Sequence, residues 1–299
     1  MFLVKTAYII AGPTAVGKTA IAIALAKRLG TEIVSADSRQ CYREMSIGTA
    51  KPSTSELTSV KHHFIDTHSV TTALDAADYE TLALGYLQNI FATHDAAVVC
   101  GGTGLYIKAL CEGLDTMPAV SDEVVHDVNN EYETRGLQWL QHAVMEEDPD
   151  FYKEGEIKNP ARLLRALIFK RSVGESIINY RTGEKKKRDF RIVRVGLELP
   201  REVLYERINT RVDKMMENGL LDEVRNLYSL RHLKNLQTVG YSELFEHIEG
   251  LYTLQEAVDK IKQNTRHYAK RQMTWFRKDK EMHWLQADDP QVLDKILAL

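Results

Sequence analysis

The chain of 299 residues has only three cysteines and seven prolines, and no surplus of charge of either sign. Cys41, Cys100 and Cys111 are odd in number and form no C-x-x-C pair. That excludes a disulfide framework, leaves few thiols for a metal cluster, and makes a reduced, cytoplasmic protein the expectation. Lys+Arg 39 against Asp+Glu 42 gives a net charge of −3, so no global field advertises a nucleic-acid partner and only a local basic patch would serve one. No stretch approaches the ~18 uninterrupted apolar residues of a membrane helix, and no membrane partner is expected. The first residues could imitate a signal peptide, but Lys5 interrupts the apolar run and a glycine loop begins at Gly12 where a cleavage site would stand. A mature N-terminus is the expectation.

What is present is 44% hydrophobic and 27% charged, enough apolar material for an ordinary core at a length that suggests about two domains. Apolar, β-branched runs at Ala7–Ala11, Glu32–Ala36, His63–Asp66 and Ala96–Cys100 alternate with helical periodicity at Lys18–Leu29 and Asp78–His94. This alternation predicts an α/β fold: a P-loop, NTPase-like parallel sheet flanked by helices. From Glu112 to Asp150 the chain carries eleven acidic residues and one basic one, and from Lys153 to Arg194 thirteen Lys/Arg against five Asp/Glu. The reversal, with no strand-like run in it, predicts an inserted all-helical domain at 119–190, between a first part of the core at 1–118 and its remainder at 191–299. Ile192–Leu199 then resumes the sheet, a helix follows from Pro200 to Asn218 with Gly219 as its cap, and the rest reads helical to about Lys280.

Gly12-Pro13-Thr14-Ala15-Val16-Gly17-Lys18-Thr19 fits G-x-x-x-x-G-K-[ST] between a predicted strand and a predicted helix. The glycines let the backbone wrap phosphate oxygens, the helix N-terminus and Lys18 supply positive charge, and the Thr19 hydroxyl suits Mg²⁺. A phosphate or diphosphate ligand follows, whether of a nucleotide or of a smaller molecule. A kinase or ATPase would normally hold its metal with an acid at a strand end, whereas Ala96–Cys100 runs into Gly101-Gly102-Thr103-Gly104; Asp66, ending another predicted strand, keeps that reading open. Asp37 follows the second strand at the carboxyl edge of the sheet, placed either to accept a proton or to serve as a helix N-cap or a partner of Lys18. Ser38 and Gln40 are equally readable as base-edge contacts or as loop polarity. Arg207, Arg211 and Lys214 share one helix face opposite Leu204, Ile208, Val212 and Met215, which spacing alone reads as a solvated basic face.

Eight segments together resemble one family, the tRNA dimethylallyltransferases or isopentenyl-diphosphate:tRNA transferases: Gly12–Thr19, Asp37–Tyr42, Ile47–Pro52, Gly101–Tyr106, Asn159–Leu167, Leu204–Met215, Val239–Tyr241 and Arg266–Arg277. Cys41 and Ser46 depart from it, standing where a β-branched residue and an Asp are usual. The resemblance is to the short, bacterial type. It implies transfer of the dimethylallyl group of dimethylallyl diphosphate to N6 of the adenosine just 3′ of the anticodon, with release of diphosphate. Family sequences are commonly labelled ATP-binding from the loop, although the chemistry requires no ATP. By the same resemblance Asp37 accepts the N6 proton, Lys18 and Arg211 face the diphosphate, and Thr19 meets diphosphate and Mg²⁺. Asp37, Ser38, Arg39, Gln40, Thr103, Ala161, Arg162, Leu163, Leu164, Arg165, Gln237, Gly240, Tyr241, Lys270 and Arg271 are implied to meet tRNA.

Asn159 and Pro160 form an N-cap and N1 pair for a helix on which Arg162 and Arg165 share a face. Farther on, Lys260, Lys262, Arg266, Lys270, Arg271, Arg277, Lys278 and Lys280 interleave with Tyr268, Trp275 and Phe276, a pattern that suits phosphates and unpaired bases. The two basic segments are expected to grip the anticodon stem-loop from two sides, with the target base turned out of its stack. A monomer is expected. Two alternatives remain at this point, a P-loop kinase of a small metabolite and a prenyltransferase acting on free AMP or ADP. A non-catalytic RNA-binding module leaves Lys18, Thr19 and Asp37 unexplained together.

Overall fold

The computed structural model describes residues 4–299; the start of the N-terminal apolar run, residues 1–3, lies outside them. The chain divides into two compact units, one built from the sequence up to Glu112 together with Lys187–Leu299, the other from Gly113–Lys186.

The first unit runs β1 (Thr6–Ala11), α1 (Lys18–Leu29), β2 (Ile33–Ser35), α2 (Thr54–Ser59), β3 (His62–His63), α3 (Ala76–Phe91), β4 (Ala96–Gly101) and α4 (Gly104–Glu112) before the second unit interrupts it. The second unit contributes α5 (Asp122–Glu147), α6 (Pro149–Glu154) and α7 (Pro160–Val173). The first unit resumes with β5 (Arg191–Glu198), α8 (Arg201–Glu217), α9 (Leu220–Asn226), α10 (Tyr241–Ile248), α11 (Leu254–Phe276), β6 (His283–Gln286) and α12 (Val292–Leu297).

Six strands pair in parallel in the order β3-β2-β4-β1-β5-β6. β1 is central, and Ala7, Ile9, Ile10 and Ala11 are fully buried, as a strand covered on both faces requires. α1 packs Ile21, Leu25 and Ala26 into the same core as Val98, Val195 and Ile208. It ends on Gly30 in the left-handed region (φ 61), whose amide closes on the last turn.

Two details differ from the sequence reading. The third strand stops at His63 because Phe64 and Asp66 adopt positive φ (61 and 55), which ends ladder geometry. Asp66 therefore ends no strand, and its carboxylate is paired with Lys51. The helical reading to Lys280 stops at Phe276 and misses β6, a strand of four residues too short to show alternation. Gly219 (φ 93) caps α8 as expected, its amide donating to the Met216 carbonyl just past Asn218, and it also opens α9.

The second unit has its own core of Val128, Leu140, Val144, Phe151, Leu163 and Leu167. α5 bends at Gly136 (φ 73). The buried Asp148 accepts from the Phe151 amide and the Ser176 hydroxyl, so its burial leaves no unpaired oxygen. The unit begins before the expected residue 119, and Asp115 accepts from Thr182 while the Ser121 amide donates to Ser172. It ends before Arg188, which donates to Leu110, Ala109 and Glu80 of the sheet unit. Its bounds are thus 113–186, where composition put 119–190.

Candidate active site

Chain order in the sheet sends the turns after β1, β2 and β4 to one edge, the crevice where open α/β sheets bind ligands. The loop after β1 wraps as the motif requires: Gly12, Ala15 and Gly17 take φ of 150, 64 and 107. At Gly12 a Cβ would sit 2.7 Å from the Leu197 carbonyl oxygen, so only glycine lets β5 approach. Lys18 folds back to donate to the carbonyls of Gly12 (3.0 Å) and Pro13 (2.8 Å). Burial pushes its ammonium down to about 8; Arg211 adds to the depression, and Cys100 and Asp37 oppose it. A diphosphate in the loop would supply the charge that this ammonium lacks.

The helix face of α8 is only partly the solvated one that spacing suggested: Arg207 and Lys214 are exposed, and Arg211 is half-buried. Arg211 donates to the Thr14 hydroxyl (3.1 Å) and Arg207 to the Val16 carbonyl (3.4 Å), so both guanidiniums lean on the phosphate loop. Burial lowers the Arg211 pKa and Asp37 opposes it. The same face, with Lys51, Ile47, Leu57 and Met215, lines a cavity of about 840 Å³. Met215 therefore meets the cavity and not the core. Thr19 sits with Ser35, Gln40 and Cys100 around a smaller pocket. Where a strand-end acid would stand, β4 offers Cys100, whose thiol burial pushes up to about 11 and keeps neutral.

Asp37 takes the capping role open to it in the sequence, at a turn in place of a helix start. Its Oδ1 accepts from the amides of Arg39 (2.9 Å) and Gln40 (3.3 Å), capping the turn, and its charge reaches Lys18 and Arg211. Thr103 closes the turn from β4: its hydroxyl accepts from the Ser38 amide (3.0 Å) and its own amide donates to Ala36. Gln40 donates to the carbonyls of Thr49 and Ala50 (both 3.2 Å), so its NH₂ supports a neighbouring loop.

Other implied RNA contacts fare differently. Tyr241 is fully buried, with its hydroxyl on Glu223 (2.6 Å), and Gly240 is buried with its amide on Glu243. Neither presents surface to a ligand, and the place the resemblance gave them is corrected: Tyr241 supports the Ser46–Gly48 loop through Glu223, and Gly240 starts α10. Gln237 is exposed and donates to the Arg231 carbonyl (2.6 Å). Of the eight cations in and just after α11, three serve the fold: Lys262 pairs with Asp213, Arg266 donates to Asn209 and Arg277 approaches Glu198; Phe276 is buried. Lys270 and Arg271 stay exposed beside Tyr268 and Trp275 (37% and 39%). The Tyr268 hydroxyl is sheltered: burial, with Asp37 adding to it, pushes it up to about 12. In the second unit Asn159 caps α7 as expected, with Ala161, Arg162 and Arg165 exposed. Leu164 is half-buried, and Leu163 is fully buried, which corrects it from ligand contact to core. Sequence reasoning missed Gln272, Arg207 as a loop contact, and Glu223.

A phosphate loop joining the first strand to the first helix of an all-parallel sheet, with an acid on the turn after β2, two strands away, defines a P-loop α/β protein. Residues 40–279 match the family model described as IPP transferase, and the chain belongs to that family. It is 45% identical over 283 residues to the tRNA dimethylallyltransferase of Cytophaga hutchinsonii, covering 95% of this chain and 93% of that one. It is 44% identical over 294 residues to tRNA dimethylallyltransferase 1 of Bacteroides thetaiotaomicron, covering 98% and 96%. Its structure resembles the full-length tRNA isopentenylpyrophosphate transferase of Bacillus halodurans, with a TM-score of 0.72 at 36% identity over 98% of this chain and 94% of that one. The chain is a transferase of the prenyltransferase class. No helix among the described residues is long and apolar enough to cross a membrane.

Proposed function

We propose that this protein transfers the dimethylallyl group from dimethylallyl diphosphate to N6 of the adenosine just 3′ of the anticodon in tRNA, releasing diphosphate. The observation that carries the mechanism is a single carboxylate, Asp37, set within electrostatic reach of the two cations, Lys18 and Arg211, that attend the phosphate loop.

The donor's diphosphate lies in the loop, reached past the cations of the 840 Å³ cavity. Lys18, released from the Gly12 and Pro13 carbonyls, and Arg211 take up the negative charge that grows as the C1–O bond breaks. The N6 lone pair forms the new bond to C1, and the N6 proton passes to the Asp37 carboxylate. Mg²⁺, when bound, neutralises diphosphate oxygens; Thr19 is the residue that fits it, and a lone hydroxyl suits a cation held mainly by phosphate and water. Among the described residues no group of three His, Cys, Asp or Glu side chains offers a protein-made metal site.

Acceptor RNA is held by exposed Lys270 and Arg271, with the Tyr268 and Trp275 rings available to an unstacked base, and by Arg162 and Arg165 of the second unit. The test is incubation with radiolabelled dimethylallyl diphosphate and either unmodified tRNA or AMP. Label in tRNA alone is expected; label in AMP, or in neither, overturns the reading.

A further inference from the structure

Gln272 lies within the basic segment of α11, between exposed Arg271 and half-exposed Trp275, yet it is only 6% exposed. Its two amide atoms are spent on two different active-site turns. Oε1 accepts from the Thr14 amide of the phosphate loop (2.8 Å), and Nε2 donates to the Gly102 carbonyl in the turn after β4 (2.9 Å). A Cβ on Gly102 would stand 2.4 Å from Nε2, so a side chain there would displace the Gln272 amide. Thr14 is thus held at its amide by α11 and at its hydroxyl by Arg211 of α8. Thr103, next to Gly102, in turn clips the Ser38 amide and so the turn that carries Asp37.

We propose that Gln272 is a positioning residue for the donor site: it sets the phosphate loop against the Gly102–Thr103 turn, and it has no part in RNA recognition despite the residues around it. A carboxamide is the one side chain of this length that accepts at one end and donates at the other, which two backbone groups of opposite polarity require. The proposal rests on reading the loop as a diphosphate site.

The experiment uses Gln272→Met, which keeps length and apolar volume but leaves both backbone groups unpaired, and Gln272→Glu, which sets an anionic oxygen against the Gly102 carbonyl. Inorganic diphosphate with Mg²⁺ is titrated against wild type and both variants, and tRNA is titrated separately; melting curves establish that the variants are folded. The expected result is a diphosphate Kd raised ~10-fold or more in both, with a larger loss for Gln272→Glu, and tRNA affinity within about twofold of wild type. In turnover the donor KM rises while the tRNA KM stays. A fall in tRNA affinity with unchanged diphosphate binding overturns the proposal, as does unchanged binding of both. Wild type that binds diphosphate but transfers no prenyl group would sink the proposed function and leave this inference standing.

Discussion

Lys18 bears a cost in the free protein that is recovered only with an anion in the loop. Its folded pKa of about 8 lies below the ordinary 10.5, so between those values the unfolded chain holds a proton that the folded one has released, and stability rises with pH. Below about 8 the folded protein carries the whole penalty. Lys18→Met should therefore melt higher than wild type at pH 7, by the equivalent of on the order of 1–3 kcal/mol, with the gap closing toward pH 10.5 and donor binding lost throughout. Denaturant titrations of both proteins across that range check it; a gap independent of pH would assign the effect to packing. Asp37→Asn keeps the Oδ1 acceptor that caps the Arg39 and Gln40 amides and removes the proton acceptor together with the charge that reaches Lys18 and Arg211. Single-turnover transfer should fall roughly 10²–10⁴-fold with donor and tRNA affinities nearly unchanged. A near-normal rate would remove Asp37 from the proton path.

At the scale of elements, the loop that borders the donor cavity is fastened by one carboxylate. Glu223 on α9 accepts from the Ser46 and Ile47 amides through Oε2, and through Oε1 from the Gly48 amide and the Tyr241 hydroxyl. The Tyr241 ring packs so close to Gly48 that a Cβ there would be 2.5 Å from it. Four donors converge on one anion, and Thr49 and Ala50 beyond them hold Gln40. Glu223→Gln turns an NH₂ toward backbone amides, and is expected to cost about 1–3 kcal/mol in stability and to speed hydrogen exchange at Ser46–Gly48. Unchanged protection there would mean that the carboxylate is not what holds the loop. The family resemblance had placed Tyr241 on RNA; its burial and its bond to Glu223 are invisible to a motif.

For the whole molecule, the inserted unit returns to its starting point: the Lys186 side chain lies where a Cβ on Gly113 would meet it at 2.4 Å. Ends so close are what lets a domain be inserted in another, and they permit its removal. A chain in which Glu112 is joined to Lys187 through a short Gly-Ser link should fold, bind diphosphate near the wild-type value, and lose prenylation of tRNA. Retained tRNA transfer would deny the insertion any part in the acceptor site. In the intact protein, Arg162→Ala with Arg165→Ala should weaken tRNA binding and flatten its salt dependence, each lost phosphate contact removing ~0.7–0.9 from the slope of log K against log[salt]. Titrations at several salt concentrations read this directly, and an unchanged slope would show that α7 does not touch phosphate.

The sequence by itself determined what depends on neighbours along the chain. The phosphate loop with its strand and helix, the Asn159-Pro160 start of α7 and the alternation that makes a parallel sheet were all legible, because dihedral preference, capping and periodicity act within a few residues. Tertiary structure alone decided how those pieces are used. Arg211 reads as solvated until α8 is laid beside the loop, and Gln272 reads as one more polar residue of a basic helix until two backbone groups from distant turns are found against it. Leu163 and Tyr241 sit in motif segments and are fully buried. The reason is physical: a backbone N–H or a buried carboxylate has no sequence signature, and the partner that satisfies it can come from any element that packs near enough.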